Sequence, residues 1–318
     1  MSIRPVRVAF AGLAHSHPFS DAGSVQALGG QVVAVHDSDA AAAAGFAERF
    51  GGVVAGSPSA LLRAGADVIV ATPRPHETGA LLDAIAAADA AVPVFFNKVV
   101  AAGEAQFDAW ETALAKTRTP IGTASVLRFA PALALFAEEL AGEEVVGVRV
   151  HAQHDNTGFQ LAERAWQDDP AAGGGTLVTV GVHAWEMIDR VLPGAVFQAR
   201  PGWTRRLDGS TTRSEDAAGV EGLLQLPGGD RTVAAQVLVT GVPGPDRYVV
   251  DAVTAGGLRT LELALDDPLE TLGFRGLIRA LLAAARHGGV PAPWAEARIV
   301  VRNSIHAAAA ARSGTVRP

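Results

Sequence analysis

Val6-Arg7-Val8-Ala9-Phe10-Ala11-Gly12-Leu13-Ala14-His15-Ser16-His17-Pro18 reads as a short apolar strand that runs through a glycine-containing loop into a helix. The unit then repeats. Gln31 to His36 is a second strand ending at Asp37, and Ala40 to Phe50 is helical. Val53 to Ala55 is a short strand, followed by a helix capped at Ser57. Asp67 to Ala71, Val92 to Phe96 and Ile121 to Val126 are further strands, with helices at Glu77 to Ala88 and Gln106 to Ala115 between them. Apolar strands alternating with helices, without hairpin dipeptides, indicate βαβ units and a parallel sheet. Right-handed crossovers place every strand's C-terminal end on one edge, where such sheets bind ligands. The residues to inspect are therefore Gly12 to His17, Asp37, Thr72 to His76, and Asn97-Lys98.

Beyond residue 125 the pattern changes. Val145 to His154 is a long strand with scattered charges, and 155–172 has little regular pattern. Gly173 to Leu192 reads as one helix entered through three glycines. Strand-like runs follow at 196–206, 219–226, 231–239, 247–254 and 258–265, with Pro227-Gly228-Gly229-Asp230 as a hairpin turn. Helices near 268–287 and 294–312 close the chain. The expectation is an α/β chain: a doubly wound parallel sheet in residues 1–122, then an α+β domain with a mostly antiparallel open sheet in 123–318. The C-terminal helix has the option of packing back on the first domain.

Composition agrees with two folded domains. The chain has 318 residues, 49% of them apolar, enough for sizeable cores. A net charge of −7 gives no electrostatic reason to expect nucleic acid or an anionic membrane as partner. Cysteine is absent, which excludes disulfides, thiolate nucleophiles and Cys-ligated metals. No apolar run is long enough to span a bilayer, and the N-terminus shows no leader pattern, so a cytoplasmic protein is expected. Only two of the 26 basic residues, Lys98 and Lys116, are lysines. Lys98 thus stands at the end of a buried strand in a chain that otherwise uses Arg, and a compact ammonium suits acid–base work that a guanidinium cannot do.

Gly12-x-Ala14-x-x-His17 occupies the place of a dinucleotide fingerprint but keeps only its first glycine. Read alone, it fits a ligand-free strand–turn–helix better than a pyrophosphate loop; Asp37 brings the two level. Asp37, 25 residues beyond Gly12, can bond a ribose diol or serve as an ordinary turn residue. Thr179, His183 and Glu186 fall at i, i+4 and i+7, hence on one helix face. No His-x-x-x-His pair is present, and no metal site is expected.

In their order, these motifs make the chain resemble the Gfo/Idh/MocA family of NAD(P)-dependent oxidoreductases over nearly its whole length. The glycine loop and Asp37 look like that family's Gly-x-Gly-x-x-Gly and following Asp. Thr72-Pro73-Arg74-Pro75-His76 looks like Thr-Pro-x-x-His, and Asn97-Lys98-Val99 like Glu-Lys-Pro. Arg128-Phe129-Ala130-Pro131 looks like Arg-Phe-x-Pro, and Gly173 through Thr179, Gly181, His183 and Glu186 like the family's Gly-Gly-Gly-x-x-x-Asp-x-Gly-x-His-x-x-Asp helix. The departures are Ala14, His17, Asn97, Val99 and Thr179.

The resemblance implies hydride transfer between NAD and a polyol, sugar or related hydroxylated small molecule. His183 would be the general base and Lys98 the residue holding the reacting oxygen. Gly12, Ala14, His15, Asp37, Thr72, Pro73, His76 and Asn97 would hold the cofactor. Arg128, His154, Asn156, Thr179 and Glu186 would face the substrate, as would Trp166 from the unpatterned segment. Asp37 with Asp39 nearby favours NAD over NADP. A homodimer or homotetramer through the second domain's sheet is also implied. Two alternatives stay open: a non-catalytic dinucleotide or sugar binder of the same fold, and an NAD-assisted lyase or hydrolase.

Overall fold

The computed structural model describes residues 4–88 and 92–314. In chain order they form β1 (Arg7–Ala11), α1 (His17–Ala27), β2 (Gln31–His36), α2 (Ala40–Phe50), β3 (Val53–Val54), α3 (Pro58–Leu62), β4 (Val68–Ala71), α4 (Pro75–Ala88), β5 (Val94–Asn97), α5 (Glu104–Leu114) and β6 (Ile121–Ala124). A 3-10 turn (Val126–Phe129) leads to α6 (Pro131–Glu139) and β7 (Val145–Gln153). A second 3-10 turn (Thr157–Gln160), α7 (Ala165–Asp168), α8 (Gly175–Thr179) and α9 (Gly181–Val191) come next. The chain continues through β8 (Val196–Ala199), β9 (Trp203–Arg205), β10 (Ala217–Gln225), β11 (Thr232–Thr240), β12 (Arg247–Thr254) and β13 (Gly257–Glu262). It ends with α10 (Pro268–Thr271), α11 (Phe274–Ala285) and α12 (Trp294–Ser313).

These elements form two compact units. The first takes the chain up to Val100, Phe107–Ala124 and Phe274–Ala297; the second takes Ala101–Gln106, Ser125–Gly273 and the chain from Arg298 onward. Segment 274–297, which periodicity alone places with the second domain, is thus grouped with the first.

In the first unit the strand order is β3-β2-β1-β4-β5-β6 with every pair parallel. This is the Rossmann order, with its switch point between β1 and β4. Helices cover both faces, so β1, β4 and β5 read as unbroken apolar runs rather than alternating ones. Phe10, Phe19, Phe46 and Phe50 stack on one face with ring centroids 4.9 to 6.3 Å apart. On the other, Phe96 meets Trp110 edge-on at 4.8 Å and Trp110 meets Trp294 at 5.7 Å. The returning segment also extends the sheet edge, where Thr123 N–H donates to the Ala292 carbonyl at 3.1 Å.

The second unit holds a sheet of order β13-β12-β7-β11-β10-β8, with β9 also on β10. Only β7 and β11 pair in parallel; the other pairs are antiparallel. Register puts Val148, Val150 and Ala152 beside Ala235, Val237 and Val239 on one flank and Ala252, Val250 and Tyr248 on the other. These alternate residues make one buried layer. α9 lies on it with every residue but Arg190 buried.

Three local expectations change. The helix expected over 173–192 is two, α8 and α9, divided at Val180, where His183 N–H bonds the Val180 carbonyl three residues back at 3.0 Å. The helix expected over 268–287 divides likewise into α10 and α11 around Gly273. α6, absent from the sequence reading, starts with Pro131 in its first turn and buries Leu133 and Phe136, three apart on one face.

Candidate functional site

In the first unit, the strand ends hold the β1–α1 loop from both sides. Gly12 N–H donates to the His36 carbonyl at 2.7 Å, Leu13 N–H to Asp37 Oδ2 at 2.6 Å, and Ala14 N–H to the Thr72 carbonyl at 3.3 Å. Gly12 has φ +84°, and a Cβ there would sit 2.6 Å from the Thr72 oxygen. Only glycine suits both the conformation and the space. His17 stands where the resembled loop has its last glycine: its ring meets that of His15 edge-on at 4.3 Å, and His15 Nδ1 accepts the His17 N–H at 3.3 Å. His17 is buried and packs against Phe274, with centroids 5.1 Å apart. Ser16 makes no side-chain cap to α1.

Asp37 is buried at the end of β2. Its Oδ1 accepts Asp39 N–H at 2.8 Å and Arg74 Nη1 at 3.1 Å. Arg74 also reaches Ser38 Oγ at 3.3 Å and Glu77 at 3.4 Å, and Ser38 donates to Glu77. Burial disfavours the Arg74 cation, but Asp37 and Glu77 outweigh it and hold the guanidinium pKa above its ordinary value. A cavity of about 300 Å³ opens here, lined among others by Gly12, Asp37, Ser38, Pro58, Pro73 and His76. Ala11, Ala80 and Leu81 add apolar wall, and Asp37 lines it as a residue whose side chain is itself fully buried.

Deeper along the same edge, Asn97 Nδ2 donates to Thr72 Oγ1 at 2.8 Å and to Asp21 Oδ2 at 3.1 Å. Asp21, on α1, is wholly buried, and burial pushes its carboxyl up to about 7. Its Oδ1 has no hydrogen-bond partner among the described residues. Sequence reasoning passed over Asp21. The available signal was helical spacing: it lies one turn before buried Val25, on the stripe that faces the sheet. Lys98 follows directly, half-buried, and its peptide bond to Val99 is cis.

The second unit gathers a different set. His183 Nδ1 and Ser125 Oγ are 2.6 Å apart. Ser125 N–H donates to Glu186 Oε2 at 2.9 Å, and Arg128 Nη1 donates to Glu186 Oε1 at 2.6 Å and Asp189 Oδ2 at 2.8 Å. His183, Glu186 and Arg128 are therefore brought together. Burial lifts the Glu186 carboxyl above its ordinary range despite Arg128. For Arg128 burial is opposed and exceeded by Glu186 and Asp189, which hold the guanidinium firmly charged. The His183 ring packs on Tyr248 with centroids 5.3 Å apart. The Thr179 hydroxyl donates to the Gly175 carbonyl.

The glycine turn before α8 is pinned from outside. Gly174 and Gly175 have φ of +89° and +65°, a pair of left-handed residues that side chains would strain. Arg312 Nη2 donates to the Gly174 carbonyl at 2.6 Å and pairs with Glu215 at 3.0 Å, while Glu215 accepts Leu177 N–H at 2.7 Å. Asn156, wholly buried, donates to Thr176 Oγ1 at 2.8 Å and supports the same turn. His154 is half-buried at the end of β7, its N–H on the Thr240 carbonyl at 3.1 Å. Trp166 lies on α7, its indole N–H buried without a partner among the described residues. Ser125, Asp189, Glu215, Tyr248 and Arg312 were not singled out from sequence. Ser125 alone carried a signal, as a Ser placed to cap the turn before Arg128-Phe129.

Among the described residues no three His, Asp or Glu side chains group as metal ligands would. No helix among them is long and apolar enough to cross a membrane.

No family model and no curated protein sequence matches the chain. Solved structures do. GenD2 from gentamicin A biosynthesis, in complex with NAD, superposes with a TM-score of 0.78 at 20% identity, covering 98% of this chain and 96% of its own. A myo-inositol dehydrogenase from Corynebacterium glutamicum ATCC 13032 gives 0.76 at 14% identity, covering 99% of each chain. An oxidoreductase from Agrobacterium radiobacter, in complex with NAD+, L-tartaric acid and magnesium, gives 0.74 at 15% identity, covering 98% and 97%. With near-complete coverage on both sides, the chain has the fold of these oxidoreductases: a Rossmann domain followed by an α+β domain with a mostly antiparallel sheet.

Proposed function

We propose that the protein is an NAD-dependent oxidoreductase of the Gfo/Idh/MocA type, acting on a polyol, sugar or related hydroxylated small molecule. The observation that carries this reading is the cleft at the ends of β1, β2 and β4, where Gly12 turns tightly against Thr72 and Pro73 and Asp37 ends β2. NAD fits these residues. The apolar slot beside Pro58 and Pro73 suits an adenine, Asp37 would take a ribose diol by exchanging its bond to Arg74, and the start of α1, without a side-chain cap, suits a pyrophosphate. Thr72, His76 and Asn97 complete the strand edge.

Bound there, NAD would supply the hydride acceptor. His183 takes the hydroxyl proton of the substrate, and the Lys98 ammonium stabilises the charge that develops on that oxygen. Asp37, Asp39 and Glu77 outnumber Arg74 beside the cleft, which disfavours a 2′-phosphate and supports NAD over NADP. Equilibrium dialysis tests this, and tighter binding of NADP would overturn it. Reduction of NAD followed at 340 nm over a polyol and sugar panel tests the reaction. Turnover is expected on at least one member and should fall by about 10²-fold or more in His183→Ala. Undiminished turnover in that variant removes His183 as the base.

One observation favours a second reading, a non-catalytic binder. Thr179, uncharged, takes the place of the motif's carboxylate, and its hydroxyl donates to Gly175. Dinucleotide binding without turnover on any panel member would select that reading. We also infer a homodimer or homotetramer through the second sheet's outer face, which carries exposed Trp203 and a cavity of about 370 Å³. A monomeric mass by light scattering would exclude it.

A further inference from the structure

The resembled motif places a carboxylate at position 179 to share the site with the histidine. Here that position holds Thr179, an uncharged hydroxyl that donates to the Gly175 carbonyl, and a second hydroxyl stands at the ring itself. Ser125 Oγ lies 2.6 Å from His183 Nδ1, and the two residues are 0% and 4% exposed. Ser125 is itself held at two points. Its Oγ accepts Leu127 N–H at 3.1 Å, capping the 3-10 turn, and its N–H donates to Glu186, which Arg128 fixes. A ring bonded at Nδ1 to an immobile hydroxyl, with Tyr248 packed beside it, has one orientation and presents Nε2 in one direction.

We propose that Ser125 is the positioning residue of His183, a neutral hydroxyl that orients the imidazole in place of a carboxylate. The chemical difference is specific. A carboxylate only accepts, and its charge pulls the ring toward the cation. A hydroxyl accepts from Nδ1–H or donates to bare Nδ1 by rotating its proton. His183 therefore keeps its anchor in either tautomer and in the cationic state, and Nε2 can take up or release a proton without the ring coming loose. Tyr248 from β12 is kept protonated by burial, Arg128 is offset by Glu186 and Asp189, and the rest of the sheet layer beneath α9 is apolar.

The inference rests on reading His183 as the proton acceptor, but its first test does not need turnover. The free full-length protein is labelled with ¹⁵N-histidine, and the His183 ring resonances are assigned by their loss in His183→Gln. In Ser125→Ala both ring nitrogens should move toward tautomer-averaged shifts. Ser125→Thr, which keeps the hydroxyl, should hold wild-type values. Ser125→Asp should raise the His183 titration midpoint by about one unit or more. On an active substrate, Ser125→Ala should lower kcat by about 10- to 100-fold with little change in KM, and Ser125→Thr should restore most of it. Unchanged ring shifts in Ser125→Ala overturn the proposal. If that variant does not fold, an unmoved midpoint in Ser125→Asp overturns it instead. Absence of turnover in the wild type would sink the oxidoreductase reading alone, since the ring shifts still decide the role of Ser125.

Discussion

The two units build their polar sites in opposite ways. The strand edge of the first is made mostly of backbone: three successive N–H groups of the Gly12 loop donate to the ends of β2 and β4, and the cluster beneath them, Asp21, Asn97 and Thr72, contains no cation. The site on α9 is made of side chains, with Arg128 bridging two buried carboxylates and Ser125 joining that network to His183. A backbone cradle is sensitive to added volume. A buried charge network is sensitive to a missing partner.

The strongest way to break this comparison is Arg128→Ala. It strands Glu186 and Asp189, and stability should fall by about 3–5 kcal/mol in urea unfolding at neutral pH. A loss below about 1 kcal/mol would mean that the network is not the keystone described. Next comes Asp21→Asn, whose effect depends on pH. Burial raises the Asp21 pKa from 3.8 to about 7, so between those values the native chain holds a proton that the unfolded chain releases. This group's contribution is therefore greatest at low pH and is lost as pH rises through about 7, by up to about 4 kcal/mol. Asp21→Asn should remove that fall, gaining on the wild type from pH 5 to pH 8. A stability difference that is flat with pH contradicts the burial argument.

Gly12→Ala probes the cradle by volume. With φ +84° and the Thr72 oxygen 2.6 Å from the new Cβ, a loss of about 1–3 kcal/mol in thermal unfolding is expected, with loss of dinucleotide binding by calorimetry. Retained binding would separate the loop from the cofactor. Arg74→Ala is the mildest. The guanidinium is about a quarter exposed, so stability should change by less than about 1 kcal/mol. Releasing Asp37 from Arg74 should nevertheless alter NAD affinity, and an unaltered affinity would place Asp37 outside the ribose site.

How legible each region was in the sequence follows the same division. β1, β2, β4 and β5 were readable because a two-sided parallel sheet needs uninterrupted apolar runs, and Asp37 because it ends such a run. Arg128, His183 and Glu186 were readable by spacing. Asp21 was not recognised, since a carboxylate on a helix is ordinarily taken as solvated, and its burial depends on Asn97 lying opposite. The 173–192 helix was readable as helical, but not its division at Val180, because Gly181, the one local mark, is also tolerated inside a helix.

By itself, then, the sequence pointed to a parallel first sheet, a change of pattern near residue 123, the glycine loop and the helix bearing His183. All of these follow from local periodicity and turn chemistry. Only the tertiary structure decided that Ser125 meets His183 across 58 positions, that Asp21 is buried against Asn97 across 76, that Arg312 pins Gly174, and that 274–297 returns to the first unit. Such pairs join residues that no local pattern links, so only the packing of distant elements brings them into contact.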